Sequence, residues 1–145
     1  MMDHSIDVIE LEMAILVRRL VSMTTYRKIG NLDRSAYLLL HQIASHGSAG
    51  VKALSDEFHL DISTVSRQAA ALEQKGYVKR IPDPVDGRAY SLEMTDTGEE
   101  VLNENKQARQ ESIGKMLCTW SDGERVIFGE LLRKFNAAIH EEIPE

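Results

Sequence analysis

The apolar positions of this chain recur mostly with the period of an α-helix. Segment 5–28 has an apolar residue every three or four positions, which predicts one continuous helical stripe. A second apolar strip lies on the opposite side of the same helix. Such a helix has to pack against apolar surface on both sides. We favour a second subunit as its packing partner; burial in the core of its own domain is the alternative. The stripe residues are Ile6, Ile9, Met13, Leu16, Leu20 and Met23, and the opposite strip is Val8, Leu11 and Ile15.

Turn-forming residues divide the middle of the chain into three further helices. Asp33 is placed to cap a first helix that runs through Ser45. A short helix over 51–58 and a longer helix over 62–75 follow, and the three residues 59–61 form a tight turn between them. A short helix, a tight turn and a longer helix are the outline of a helix-turn-helix.

After Gly76, which suits the left-handed end of a helix, the apolar period changes to two. Apolar and polar side chains alternate over 89–94, which predicts a half-buried strand with 77–81 as its partner. The loop 82–88 contains two prolines, which cannot donate strand hydrogen bonds. Two strands directly after a helix-turn-helix make a winged helix.

The C-terminal third predicts two more helices. A long polar helix runs from Thr97 to about Cys118, and Ser121 with Glu124 forms a capping box for the last one. We therefore expect a mainly α fold with three parts: an N-terminal dimerisation helix (1–32), a winged helix-turn-helix (33–96) and C-terminal dimerisation helices (97–145). The apolar side of the last helix consists of Phe128, Leu131, Leu132, Phe135, Ala138 and Ile139.

Composition excludes several classes of protein. With 145 residues, 43% of them hydrophobic and 28% charged, the chain matches an ordinary globular domain rather than a disordered or fibrous one. No apolar run approaches a membrane span, and the start lacks the basic and apolar regions of a secretory signal, so we expect a cytoplasmic protein without a membrane partner. Cys118 is the only cysteine, which excludes an internal disulfide, and we expect its thiol to be buried.

The charge is distributed unevenly along the chain. The net charge of −6 argues mildly against a nucleic-acid partner. However, residues 96–145 contain six basic and eleven acidic residues, whereas residues 63–90 contain five basic and three acidic ones. The local field matters more than the total for binding a polyanion, so the middle of the chain is the candidate nucleic-acid site.

The longer helix of the helix-turn-helix has one apolar and one polar side. We predict that Ile62, Val65, Ala69 and Leu72 form its core side, because they cluster on a helical wheel. Arg67 lies diametrically opposite. Arginine can donate two hydrogen bonds to guanine, glutamine pairs with adenine, and serine or threonine can bond bases or phosphates. The predicted DNA-reading residues are Ser63, Thr64, Ser66, Arg67 and Gln68; a polar surface without a partner is the alternative.

The loop between the two strands provides a second set of candidates. Arg88 could enter the minor groove, where a narrow groove attracts an arginine, and Asp86 could hold its guanidinium through a bidentate pair. A salt bridge within the loop is the alternative. Lys79 and Arg80 could contact phosphates or could be ordinary solvated side chains.

Residues 54–98 resemble the MarR family of bacterial winged-helix transcription regulators. The resemblance is carried by Leu-Asp-Ile-Ser-Thr-Val-Ser-Arg at 60–67, Leu-Glu-Gln-Lys-Gly-Tyr-Val at 72–78, Asp-Pro-Val-Asp-Gly-Arg-Ala at 83–89 and Leu-Glu-Met-Thr-Asp-Thr-Gly at 92–98. The Asp-x-Arg of the loop and the final Thr-x-x-Gly are specific when they occur in this order. Ser55 departs from the family, which usually has alanine after the leucine.

The resemblance implies a homodimer whose terminal helices interlock and whose two winged domains each bind half of a pseudo-palindromic operator on double-stranded DNA. It also implies a repressor that is released by a small aromatic or phenolic ligand between the dimerisation helices and the winged domain. The segments that line this pocket in the family contain Arg18, Arg19, Tyr26, Tyr37 and His41, for each of which a structural or solvent-facing role is the favoured alternative. Sensing of oxidants through an N-terminal cysteine is not expected here.

The sequence disfavours an enzyme and leaves one further alternative open. An enzyme is disfavoured because the chain has no phosphate-binding glycine loop, nucleophile elbow or His-Glu-x-x-His motif. His41 and His46 fall on different sides of a helix, so no metal site or cofactor is expected. The remaining alternative is a winged helix that serves protein assembly without reading DNA, which the negative net charge supports.

Overall fold

A computed structural model describes residues 3–26 and 32–142 of the chain. It consists of six helices and three strands in these described residues, and it confirms the predicted mainly α fold with a winged helix-turn-helix. The elements are α1 (His4–Tyr26), α2 (Arg34–His46), β1 (Ser48–Gly50), α3 (Val51–Phe58), α4 (Ile62–Gln74), β2 (Val78–Pro82), β3 (Tyr90–Met94), α5 (Asp96–Met116) and α6 (Asp122–Glu142).

Side-chain caps begin the helices where the sequence predicts them. The Asp33 carboxylate accepts a hydrogen bond from the Ala36 backbone N–H at 2.8 Å, which starts α2. At α6, the Ser121 hydroxyl accepts from the Glu124 N–H while the Glu124 carboxylate accepts from the Ser121 N–H, so the capping box is present. Gly76 ends the α4 segment with a φ of +82°, as a left-handed terminal residue should.

The core of the winged domain is formed by apolar side chains from α2, α3, α4, the sheet and α5. Val65, Ala69 and Leu72 of α4 are buried as predicted. Ile62 is not: 53% of its surface is exposed, so its assignment to the core side was wrong. Ile62 is the first residue of α4, directly after the exposed turn, and the buried residues of this helix begin one turn later at Val65. The buried core consists of Leu32, Leu39, Leu40, Ile43, Leu54, Val65, Ala69, Leu72, Val78, Leu92 and Leu102.

The strands form a three-stranded antiparallel sheet in the order β1-β3-β2. The hairpin β2–β3 was predicted, with Pro82 in its loop. In the structure Pro82 is instead the last residue of β2, opposite Tyr90, at an edge strand where a missing N–H costs little. Strand β1 was not predicted, because three residues are too few to produce an alternating pattern.

The Thr-x-x-Gly motif attaches α5 to the turn that follows α4. The Thr95 hydroxyl donates a hydrogen bond to the Gly76 carbonyl at 2.6 Å and accepts one from the Gly98 N–H at 3.0 Å. The backbone of Gly98 lies so close to that turn that a Cβ atom would stand 2.0 Å from the Tyr77 carbonyl oxygen and 2.8 Å from the Met94 sulfur. Glycine is therefore required here for close approach rather than for its dihedral freedom.

Helices α1 and α6 leave their apolar stripes uncovered by their own chain. Leu20 of α1 is 41% exposed, Phe135 of α6 is 39% exposed, and α6 contains no buried residue. The alternative in which α1 is buried in the core of its own domain is therefore wrong. Two amphipathic helices with exposed apolar sides are typical of an interface with another subunit.

Cys118 lies in the turn between α5 and α6 and is exposed, so the expectation of a buried thiol was wrong. The α5 helix ends two residues earlier, and its buried residues Gly98, Leu102 and Asn105 all lie in its first half, so the end that precedes Cys118 does not pack on the core. Among residues 3–26 and 32–142, no helix is both long and apolar enough to cross a membrane.

Candidate nucleic-acid interface

Asp61 organises the start of α4, the longer helix of the helix-turn-helix. Its carboxylate accepts hydrogen bonds from the Thr64 backbone N–H at 2.7 Å and from the Ser63 hydroxyl at 3.1 Å. Hydrogen bonds from Thr64 and Ser63 lower the pKa of Asp61, because they stabilise its ionised form. The cap therefore fixes the Ser63 hydroxyl and the backbone at Thr64, at the N-terminal end of α4.

The outer side of α4 is polar and accessible. Ser63 and Arg67 are exposed, while Thr64, Ser66 and Gln68 are half-buried. The Arg67 guanidinium donates a hydrogen bond from Nη2 to the Thr64 hydroxyl at 3.3 Å. This contact does not use the other N–H donors of the guanidinium. The five predicted DNA-reading residues thus belong to one helix and have no carboxylate among them.

The loop between β2 and β3 is stabilised by two aspartates. Asp83 accepts hydrogen bonds from the backbone N–H groups of Asp86 and Val85, which lower the pKa of its carboxyl group. Asp86 accepts from the backbone N–H of Arg88 at 3.0 Å. The expected pairing of Asp86 with the Arg88 guanidinium was therefore wrong: a carboxylate two residues before an N–H closes a local turn instead.

The tip of this loop extends into solvent. Val85 is 95% exposed and Arg88 is exposed. Within the described part of the chain, no acidic side chain forms an ion pair with Arg88. The salt-bridge alternative for Arg88 is thus not realised, and its guanidinium is available to a partner.

The two basic residues of β2 are already paired. Lys79 Nζ lies 3.6 Å from a carboxylate oxygen of Glu93, its partner across the strands. Arg80 Nε lies 3.1 Å from a carboxylate oxygen of Glu73 on α4, and its guanidinium carbon lies 4.4 Å from the centre of the Tyr90 ring. Arg80 therefore links α4 to both strands, which makes it a structural residue as well as a candidate phosphate contact.

A second cluster joins α2 to α5. The rings of Tyr37 and His41, two of the candidate ligand residues, lie 6.1 Å apart. The guanidinium carbon of Arg109 lies 4.3 Å from the centre of the Tyr37 ring, and Arg109 Nη2 donates to the Leu32 carbonyl at 3.4 Å. The Nε atom of Arg109 is buried and has no hydrogen-bond partner among the described residues. A buried, unpaired donor beside an aromatic ring is a candidate site for a ligand with an acceptor.

Sequence analysis did not single out Arg109 or Asn105 as site residues. Asn105 is 1% exposed; its side chain accepts from the Leu32 N–H at 3.1 Å and donates to the Val101 carbonyl at 2.8 Å. Leu102, Asn105 and Arg109 lie three and four residues apart, which places them on one side of α5. This spacing could have identified the buried side of α5 from the sequence, but the many charged residues of the helix make that side difficult to recognise.

The other candidate ligand residues are not brought into this cluster. Arg18 and Arg19 are exposed on α1, and no described hydrogen bond, ion pair or ring contact joins them to Tyr37, His41 or Arg109. Tyr26 is the last residue of α1, and its side chain lies outside the described residues. Where the chain is described, no group of three or more histidine, cysteine or acidic side chains is arranged to hold a metal ion.

Residues 32–90, which run from just before α2 to the start of β3, match the model of the MarR family. This chain belongs to the MarR family. It is 45% identical over 136 residues to YxaD, an uncharacterized HTH-type transcriptional regulator of Bacillus subtilis strain 168, and the match covers 93% of this chain and 95% of that protein.

Solved structures of MarR proteins have the same fold. A MarR family protein from Bacillus stearothermophilus superposes with a TM-score of 0.76 at 22% identity, covering 96% of this chain and 98% of that one. A crystal structure of MarR gives a TM-score of 0.75 at 25% identity, covering 96% and 95% of the two chains. As a MarR family member, this protein is a DNA-binding transcriptional regulator and not an enzyme.

Proposed function

We propose that the protein is a ligand-responsive repressor that binds a pseudo-palindromic operator as a homodimer. The observation that carries this proposal is the carboxylate-free side of α4, with exposed Arg67 held beside Thr64. Side chains of this kind read base edges when a helix lies in the major groove. Ser63, Thr64, Ser66, Arg67 and Gln68 are the proposed reading residues.

The loop between the strands supplies the second DNA contact. Arg88 enters the minor groove beside the half-site, while Asp86 shapes the loop through the Arg88 backbone rather than by touching DNA. Lys79 is proposed as a phosphate contact, for which it would exchange its exposed partner Glu93 for the DNA backbone.

The apolar stripes of α1 and α6 support the homodimer. A twofold arrangement of two such chains covers both stripes and presents α4 twice. Two major-groove helices on the same side of a duplex are about 34–36 Å apart. Segments 1–32, 33–96 and 97–145 are the proposed division into dimerisation, DNA-binding and dimerisation parts.

Replacing Arg67 with alanine should weaken operator binding by about 1–3 kcal/mol and relax the preference for one base pair. The reason is the loss of donors to that base while the helix itself is unchanged. The measurement is fluorescence anisotropy with a DNA fragment that co-purifies with the protein from its host, compared with the same fragment scrambled. Arg34→Ala, which changes an exposed arginine at the start of α2, is the matched control and should bind like the wild type.

The outcome of this experiment separates the alternatives. If Arg67→Ala discriminates between operator and scrambled DNA as well as the wild type does, the reading role is refuted. A winged helix that serves protein assembly alone would bind neither DNA, even at low salt, where phosphate contacts are strongest.

The proposed effector is a small aromatic molecule with a carboxylate or phenolate, bound between Tyr37, His41 and Arg109. The buried Nε of Arg109 supplies a hydrogen-bond donor and its guanidinium supplies the charge, while the two rings supply apolar surface. Arg18, Arg19 and Tyr26 on α1 are proposed for the opposite wall. Because Arg18 and Arg19 do not contact this cluster within one chain, that wall would form only in the homodimer. A ligand bound there would change the position of α5 relative to the winged domain and so release the operator.

Replacing Arg109 with glutamine should make release of the operator by benzoate or 4-hydroxybenzoate at least about tenfold less sensitive to ligand concentration, because a charged hydrogen bond is lost. The readout is the ligand concentration at which half of the labelled operator dissociates. Ligand-free operator affinity serves as the control for folding. If both acids release the wild type and Arg109→Gln equally, the proposed site is wrong, whereas the DNA-binding proposal stands on the Arg67 result.

A further inference from the structure

Two histidines far apart in the sequence meet at the surface. His59 is the first residue of the turn between α3 and α4, and His140 lies in the last turn of α6, 81 residues later. Nε2 of His59 is 3.0 Å from Nδ1 of His140, and the ring centres are 4.6 Å apart with 59° between the planes. Both residues are exposed. The contact joins the helix-turn-helix to the C-terminal helix.

The two facing nitrogens are close enough to bind the same ion once the proton of their hydrogen bond has moved away. One of them carries the proton of the hydrogen bond, and a neutral imidazole can move that proton to its other ring nitrogen by exchange with water. Both facing atoms then present a lone pair. Two ligands at about 2.1 Å from an ion and at right angles are about 3.0 Å apart, and a tetrahedral pair is about 3.4 Å apart. The observed separation matches the first value and is within a small side-chain adjustment of the second.

The backbone at His59 favours this arrangement. His59 has a φ of +52°, the one described residue other than glycine with a positive φ. Its N–H is bonded to the Asp56 carbonyl, and the N–H of Leu60 to the Ser55 carbonyl. The turn is therefore fixed by its own backbone and does not depend on the hydrogen bond between the His59 and His140 rings.

We propose that His59 and His140 form a binding site for a late first-row divalent cation of the zinc type. Imidazole nitrogens prefer Zn²⁺, Ni²⁺ and Cu²⁺, whereas Mg²⁺ and Ca²⁺ prefer oxygen ligands. Since no third histidine, cysteine or acidic side chain of the described chain joins the pair, water completes the coordination, and binding is weaker than at a structural zinc site. A bound ion bridges the DNA-binding turn and α6, and thereby restrains the position of one against the other.

Isothermal titration of the tag-free protein with Zn²⁺ tests the site in the absence of DNA. We expect one ion per chain for the wild type, and affinity at least about tenfold lower for His140→Gln and for His59→Asn, because each retains a single imidazole. Asparagine is chosen at position 59 because it tolerates a positive φ. His46→Gln removes an exposed histidine outside the pair and should bind Zn²⁺ like the wild type. Mg²⁺ should give no heat of binding with any of them.

Two results would overturn the proposal: equal Zn²⁺ affinity in wild type and His140→Gln, or loss of binding in His46→Gln instead. A variant that does not fold, judged by circular dichroism, is replaced by a measurement on the wild type. The electron paramagnetic resonance spectrum of one equivalent of Cu²⁺ should show coordination by two imidazole nitrogens. Coordination by a single nitrogen would show that the pair is a hydrogen bond and not a metal site.

Discussion

Replacing Gly98 with alanine should reduce the free energy of unfolding by at least about 3 kcal/mol, which for a domain of this size is enough to prevent stable folding. The added Cβ would lie 2.0 Å from the Tyr77 carbonyl oxygen, far inside van der Waals contact. The Tyr77 carbonyl is part of the backbone and cannot move aside as a flexible side chain can. Helix α5 would have to separate from the turn after α4, and the hydrogen bonds of Thr95 to that turn would be lost with it.

Urea denaturation followed by circular dichroism measures this effect. Gly114→Ala is the matched control, because it lies in the same helix and a Cβ there meets nothing within 4 Å. It should keep or increase stability by up to about 1 kcal/mol, since alanine is the better helix former. If the two variants unfold at the same urea concentration, the close contact at Gly98 does not exist in solution.

Replacing Phe135 with aspartate should dissociate the proposed homodimer, with an increase in the dimer dissociation constant of a thousandfold or more. The reason is that a carboxylate would have to be buried in the apolar dimer interface, which costs several kcal/mol for each copy. Twofold symmetry introduces the carboxylate twice. Leu20→Asp should act in the same way through α1. Both residues are only partly exposed in the single chain and lie in the stripes that the fold leaves uncovered.

Sedimentation equilibrium at micromolar protein distinguishes the outcomes. Phe135→Leu keeps the apolar surface and should remain dimeric, which controls for any effect of losing the ring. Operator affinity should fall together with dimerisation in the aspartate variants, because two linked half-site contacts become two separate weak ones. A full dimer of Phe135→Asp at that concentration would contradict the assignment of the stripe.

The elements of the fold were largely predictable because local rules determine them. Periodicity and caps located the helices, and the change to a period of two located the β2–β3 hairpin. Strand β1 was missed because it is stabilised by pairing with β3 rather than by its own sequence. Ile62 was misplaced because a helical wheel says nothing about which end of a helix has neighbours.

Contacts between distant residues limited what could be predicted of the site. The polar side of α4 could be recognised from sequence, since it depends on one helix. The role of Asp86 could not be predicted, because its carboxylate is close in sequence to both the backbone N–H and the guanidinium of Arg88 and could bond to either. Arg109 beside Tyr37 and His59 beside His140 depend on the tertiary arrangement of different helices, which no local pattern records.

The two ion pairs at β2 bear on how the protein would find its site in a chromosome. Binding to random DNA comes almost entirely from lysine and arginine side chains that neutralise phosphates and release the counterions condensed on the DNA. The charges of Lys79 and Arg80 are partly neutralised by their ion pairs with Glu93 and Glu73, and the chain as a whole is acidic. Such a protein is held only weakly by the vast excess of unrelated sequence, so fewer copies per cell suffice to keep one operator occupied.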